Sequence, residues 1–178
     1  GNIDIYLPDG TLAQANADAS VTQAMLARIT TTQRADTLIL THPDHKITRY
    51  VRTGATSFSL VEGEGFFEPA LSFIPLYQPY YKYAPAGTTM TPSATTGVGI
   101  TLTLSGGYWV SGTPGHTNLI VRYKKKEILI TSITSPTVAV GNVRETLPSI
   151  TADADWDEPA FSALKGWPHA SAFFADRL

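Results

Sequence analysis

The chain opens on an alternation of apolar and polar positions. Ile3, Ile5 and Leu7 recur at a period of two and Pro8-Asp9-Gly10 follows, which predicts a strand and a turn. The period then changes. Ser20-Val21-Thr22-Gln23 has the form of a capping box, and Val21, Met25, Leu26 and Ile29 share one helical face, so a helix is expected over about 20–30. Leu38-Ile39-Leu40 predicts a short buried strand and His42-Pro43-Asp44-His45 a turn. Ile47, Arg49 and Val51, alternating with Thr48, Tyr50 and Arg52, predict the returning strand. Thr53-Gly54-Ala55-Thr56 turns again into Phe58-Ser59-Leu60-Val61. Residues 1–62 therefore read as a β-meander with one helix packed on it.

The texture differs over 63–89, where Pro69, Pro75, Pro79 and Pro85 punctuate a run rich in phenylalanine and tyrosine. Proline removes backbone donors and resists regular structure, so the expectation is an extended linker lying across a surface. From 90 to 148 the alternation returns. Val98, Ile100, Leu102 and Leu104 predict one strand, Gly106-Gly107 a turn, and Leu119-Ile120-Val121, Ile128-Leu129-Ile130 and Val138-Ala139-Val140 further strands. Turn residues at roughly ten-residue spacing suit a small all-β sandwich or barrel. Residues 149–178, with Trp156, Phe161, Trp167, Phe173 and Phe174, read as an irregular segment packing back on the first unit. The fold class expected is mainly β.

Composition narrows the chemistry. Hydrophobic residues make up 43% of the 178 and charged residues 16%, which excludes a disordered polyampholyte. A net charge of -2 supplies no global drive toward nucleic acid or membrane surfaces. The absence of cysteine removes disulfides, thiolate metal sites and cysteine nucleophiles. No apolar run approaches the roughly 20 residues of a membrane helix. Gly1-Asn2-Ile3 begins and Phe173-Phe174-Ala175 ends inside a pattern, so the chain is expected to be an internal segment of a longer polypeptide.

Four constellations along the chain could carry chemistry. Thr41-His42-Pro43-Asp44-His45 and the later Thr113-Pro114-Gly115-His116-Thr117 resemble motifs of the metallo-β-lactamase superfamily, so that His42, Asp44, His45 and His116 are the candidate metal ligands of a degenerate zinc hydrolase. The first motif has one histidine too few, no aspartate follows Ile128-Leu129-Ile130, and the βα units of that fold are missing. The plainer reading is a hairpin in which Pro43 fixes φ and the Asp44 side chain bonds nearby backbone N–H groups. Lys124, Lys125 and Lys126 form the single basic run, either a solvated turn or a contact facing DNA phosphates. Asp153, Asp155, Asp157 and Glu158 surround Trp156 and read as a solvated acidic loop, since the EF-hand glycine and distal glutamate are absent. Tyr77, Tyr80, Tyr81 or Trp109 would line the cleft of a carbohydrate- or receptor-binding module. No catalytic residue and no cofactor is assigned.

Three ordered stretches then carry a resemblance that spans nearly the whole chain. Gln33-Arg34-Ala35-Asp36-Thr37-Leu38-Ile39-Leu40-Thr41-His42-Pro43-Asp44-His45, continued by Arg52-Thr53-Gly54-Ala55-Thr56, resembles a stretch of tailed-bacteriophage tail hub or nozzle proteins, the tail tubular protein B-like family. Thr89-Met90-Thr91-Pro92-Ser93 resembles the opening of an internal β-domain of those proteins, one labelled as similar to a domain of ubiquitin-activating enzymes. Lys165-Gly166-Trp167-Pro168-His169 and the residues to Leu178 resemble the phrase that precedes their propeller-like remainder. The resemblance implies a structural, non-enzymatic virion component and a homo-oligomeric ring around the DNA exit channel. Its implied partners are other tail and portal-adaptor proteins, with non-specific passage of DNA and no membrane. It transfers no catalytic residues.

Overall fold

The structure, a computed structural model, describes residues 2–17, 21–62 and 79–172. The aromatic linker expected at 63–89 therefore lies outside the described residues as far as residue 78. The fold is mainly β and antiparallel throughout, and its contacts divide the chain into two units. One comprises Gly1–Tyr77 with Gly166–Leu178; the other is Gln78–Lys165. Among the described residues no helix is long and apolar enough to cross a membrane.

In the first unit, β1 (Asn2–Tyr6) and β2 (Leu12–Ala17) form a hairpin. Its turn is closed by Gly10 N–H donating to Leu7 O and by Thr11 N–H donating to the Asp9 carboxylate, each at 2.9 Å. Four further strands follow in chain order as a meander: β3 (Thr30–Arg34), β4 (Thr37–His42), β5 (His45–Arg52) and β6 (Phe58–Glu62). Ile39, Leu40, Ile47 and Tyr50 are buried in it, where β-branched and aromatic side chains fit a pleated, enclosed surface.

The packed helix expected over 20–30 is corrected. Gln23–Arg28 forms a six-residue 3-10 helix with no buried residue, and Thr22 makes no side-chain cap bond. The reason lies downstream. Thr30-Thr31-Thr32 is β-branched and pairs with β4 in the register Thr30↔Thr41 to Arg34↔Thr37, so the chain must be extended by residue 30. Too little length remains for a cooperative α-helix, and Leu26, assigned to its buried face, is 61% exposed.

The second unit is a seven-stranded sheet. In chain order its strands are β7 (Tyr80–Tyr81), β8 (Met90–Pro92), β9 (Ile100–Leu104), β10 (Ile120–Tyr123), β11 (Lys126–Ser135), β12 (Val138–Val143) and β13 (Trp156–Pro159). They pair in the order β7-β13-β10-β11-β12-β9-β8. Met90 and Asp153 also exchange backbone hydrogen bonds of 2.9 and 3.1 Å, which carries the ladder from β8 round to the segment leading into β13. Alternate residues of these strands (Ile100, Leu102, Leu104; Val121, Tyr123; Ile128, Ile130) turn inward and form one core with Met90, Trp109, Leu147 and Trp156.

Three further corrections concern this unit. Val98 is not a strand residue: Gly97 and Gly99 both adopt positive φ, and Val98 between them is 82% exposed. The unit begins at 78 and ends at 165 rather than at 90 and 148, because β7 and β13 belong to its sheet. The segment from 149 is consequently split. Residues 156–159 are a strand of the second unit, and the described part of 166–178 lies with the first. There Trp167 N–H donates to Pro43 O at 2.7 Å, and the Thr30 and Thr32 hydroxyls donate to the carbonyls of His169 and Ser171.

Candidate functional site

Strand β13 concentrates the polar chemistry of the second unit. All four of its residues are buried, and period two sends Trp156 and Glu158 to one face and Asp157 to the other. A carboxylate taken out of water must be compensated, or it gives up its charge. Glu158, fully buried, has three compensating groups. Its Oε1 accepts from the Tyr108 hydroxyl and lies 3.4 Å from the Lys165 ammonium; its Oε2 lies 3.2 Å from His116 Nε2. That last pair is in electrostatic contact without the alignment of a hydrogen bond.

His116 is also fully buried, and its Nδ1 accepts the Val110 N–H at 2.9 Å. An acceptor nitrogen carries no proton, so the neutral ring holds its hydrogen on Nε2, facing the carboxylate. Lys165 Nζ donates to Tyr108 O at 2.6 Å and lies over the rings of Tyr83 and Tyr108, 4.6 and 4.8 Å from their centroids. Burial, reinforced by the hydrogen bond to Glu158, raises the Tyr108 phenol well above its ordinary range. Tyr83 is raised too, by burial and then by the Glu158 charge. The rings of Tyr108, Trp109, His116 and Trp156 lie 5.1 to 6.4 Å apart and wall the cluster.

On the other face of β13 stands a ladder of ion pairs. Arg122 Nε and Nη2 grip the two Asp157 oxygens at 2.8 and 2.7 Å, the bidentate geometry that suits guanidinium and carboxylate. Lys125 adds 3.1 Å to Asp157 and 3.7 Å to Asp155, Lys124 reaches Asp153 at 2.8 Å, and Lys82 reaches Asp155 at 3.2 Å. Lys126 meets Glu145 at 3.4 Å. Burial pushes the Asp157 carboxyl up, but the bonds from Arg122 and Lys125 outweigh it and leave the group lowered. Asp153 is lowered chiefly by its bond to Lys124.

These placements revise the expectations residue by residue. The lysine run, a candidate for facing DNA, has each ammonium engaged with a carboxylate. The acidic segment around Trp156 is not a solvated loop, since Asp157 and Glu158 are buried and paired. His42 and His45 flank the two-residue turn between β4 and β5 in the first unit, whereas His116 belongs to the second. The turn is held the reverse way from the one expected: His42 Nδ1 accepts the Asp44 N–H at 3.1 Å, while the Asp44 carboxylate, exposed, lies 3.8 Å from Arg28. His45 Nδ1–H donates to Lys46 O at 2.6 Å. Among the described residues no group of three or more His, Asp or Glu side chains is placed to hold a metal ion. Of the tyrosines and tryptophan assigned to a glycan cleft, Trp109 is 3% exposed, Tyr80 lies under Arg122, and Tyr77 is outside the described residues. Tyr81 and Tyr83 meet edge to face at 63°.

The sequence offers no signal for Tyr108 or Lys165 as polar site residues, and it presents Glu158 only as a member of the acidic segment around Trp156. One signal was present: the two-residue spacing of Asp153, Asp155 and Asp157 matches basic residues from Arg122 to Lys125, a complementarity that cross-strand pairing exploits. No protein-family model matches the sequence, and no curated protein sequence matches it. What the arrangement can do chemically is bounded by its geometry: a buried carboxylate that accepts from Tyr108 and faces Lys165 and His116, and a ladder of ion pairs on the other face of the strand.

Proposed function

We propose that this chain is a structural module of a bacteriophage tail, part of a hub- or nozzle-like ring subunit that makes contacts around the DNA exit channel. The observation that carries the reading is the ordered resemblance of three stretches, around Pro43, Pro92 and Trp167, to tail proteins of that kind. The geometry is compatible with it. The polar groups of the second unit are turned on one another, as suits a rigid building block, and apolar side chains such as Tyr6, Leu12, Leu26 and Val98 are left on the surface for neighbours. The partners would be further copies of the chain and other tail or portal-adaptor proteins, in a virion assembled in the host cytoplasm.

Purification of the full-length parent protein, with mass photometry and immunodetection in purified virions, tests this. Ring-sized oligomers and a virion signal are expected; a strict monomer absent from virions overturns the reading. Metal analysis tests the hydrolase alternative in the same preparation. Stoichiometric zinc lost on His42→Ala or His116→Ala would displace the structural role.

A further inference from the structure

A loop of the second unit is closed at its base by a titratable ring. Ser111, Gly112, Thr113 and Pro114 are exposed, and the chain doubles back until a Cβ on Gly115 would stand 2.5 Å from Gly112 O. Among the described residues, 111–115 make no hydrogen bond of their own. The closure is made by Val110 and His116. The His116 N–H donates to Val110 O at 3.0 Å, and the Val110 N–H donates to His116 Nδ1 at 2.9 Å. Both flanks are anchored separately. Trp109 N–H bonds to Pro136 O at 2.9 Å on one side, and Asn118 N–H bonds to Ile130 O at 2.9 Å on the other.

We infer that His116 is an acid-sensitive clasp, which holds the loop closed through Val110 as a neutral ring and releases it on taking a second proton. An imidazolium carries hydrogen on both nitrogens, so Nδ1 would then meet the Val110 N–H donor to donor. A fully buried ring can accept that charge only beside a compensating one, and Glu158 Oε2 lies 3.2 Å from Nε2. The remaining neighbours set the balance. Tyr108, with its centroid 5.2 Å away, keeps its proton, and Trp109 at 5.1 Å does not titrate. Lys165 opposes a second cation, but from the other carboxylate oxygen, 3.4 Å from Oε1. Asp157 is on the opposite face of β13. The ring therefore stays in the core while its bond to Val110 is lost. The inference concerns the second unit alone and does not depend on the tail assignment.

In the isotope-labelled full chain, the His116 ring nitrogens and amide exchange are followed by NMR from neutral to acid pH. Protection of the Val110 and His116 amides should fall by about tenfold or more in step with ring protonation, while β10–β12 amides keep theirs. His116→Asn sets an acceptor oxygen in the place of Nδ1 and cannot titrate, so its Val110 amide should stay protected over the same range. Glu158→Gln withdraws the negative charge, so ring protonation and loop opening should move together to lower pH. A ring that stays neutral until the unit unfolds would overturn the clasp. So would protonation that leaves Val110 protected, or loss of protection in the sheet together with the loop. The parent chain's titration decides these outcomes even where a variant does not fold.

Discussion

At the scale of single residues, the two faces of β13 predict opposite pH behaviour. Tyr108 has a raised pKa, so the folded protein keeps its proton at a pH where the unfolded chain, with an ordinary phenol near about 10, has lost it. Stability from this group is fully present below pH 10 and is lost as the pH climbs beyond it toward the folded value. Tyr108→Phe should flatten that alkaline loss. At neutral pH it should also cost about 1.5–3 kcal/mol, the worth of a hydrogen bond to a charged group, in chemical denaturation. Asp157 runs the other way. Its folded pKa is lowered, so its contribution is present above the unfolded carboxylate value near about 3.9 and disappears as the pH falls through the folded one. Asp157→Asn should cost about 1–3 kcal/mol at pH 7, and the difference from the parent should shrink steadily below about pH 4. Parallel acid limbs for the two proteins would show that the Arg122 grip contributes nothing.

At the scale of elements, the β10–β11 hairpin is the most strained piece. Its two-residue turn is Lys124-Lys125, with φ of 49° and 66°, where Asn-Gly is the usual solution. Each lysine sits there at a conformational penalty of roughly 1 kcal/mol and is tied by its ammonium to the aspartates that lead into or belong to β13. Lys125→Gly relieves strain and loses the ion pairs to Asp157 and Asp155, whereas Lys125→Ala loses both pairs and keeps the strain. The glycine variant should therefore be the more stable of the two by about 1 kcal/mol in urea denaturation. This turn also marks how far the sequence could be read. Where an apolar period was clean, as at Ile39–Leu40, Ile100–Leu104 and Ile128–Ile130, strands stand where alternation put them. The failures are elements whose stability is tertiary. Trp156-Asp157-Glu158-Pro159 looks like a soluble loop because three of its four side chains are polar or ring-locked, and groups from other segments, Arg122 and Lys125 on one face and Tyr108, His116 and Lys165 on the other, make its burial tolerable. The 20–30 helix failed for the converse reason. Its local period is helical, but Thr30–Arg34 is held extended by β4, a partner that no window on the segment contains.

At the scale of the whole molecule, the second unit interrupts the first, and its two ends lie side by side. Tyr80 and Tyr81 pair with Pro159 and Glu158, Ala160 N–H donates to Pro79 O at 2.8 Å, and the Tyr83 hydroxyl donates to Ala160 O at 2.8 Å. A segment that starts and finishes at one place, around a core drawn wholly from its own residues, meets the conditions for folding without its host. Its packing is close enough to be tested at one atom. A Cβ on Gly141 would stand 2.9 Å from both Ile128 Cγ2 and Leu129 O, in the middle of the β11–β12 ladder. Excised Gln78–Lys165 should give a dispersed amide spectrum and a single cooperative transition, and the same transition should appear within the melting of the whole chain. Gly141→Ala should lower it by about 1–3 kcal/mol in both contexts, since overpacking a core forces the backbone to shift. A broad, non-cooperative melt of the fragment would mean that the ladder closed by Met90 and Asp153 needs the first unit to hold it. Equal Gly141→Ala penalties in fragment and chain would instead place the stability of residues 78–165 wholly within their own sheet.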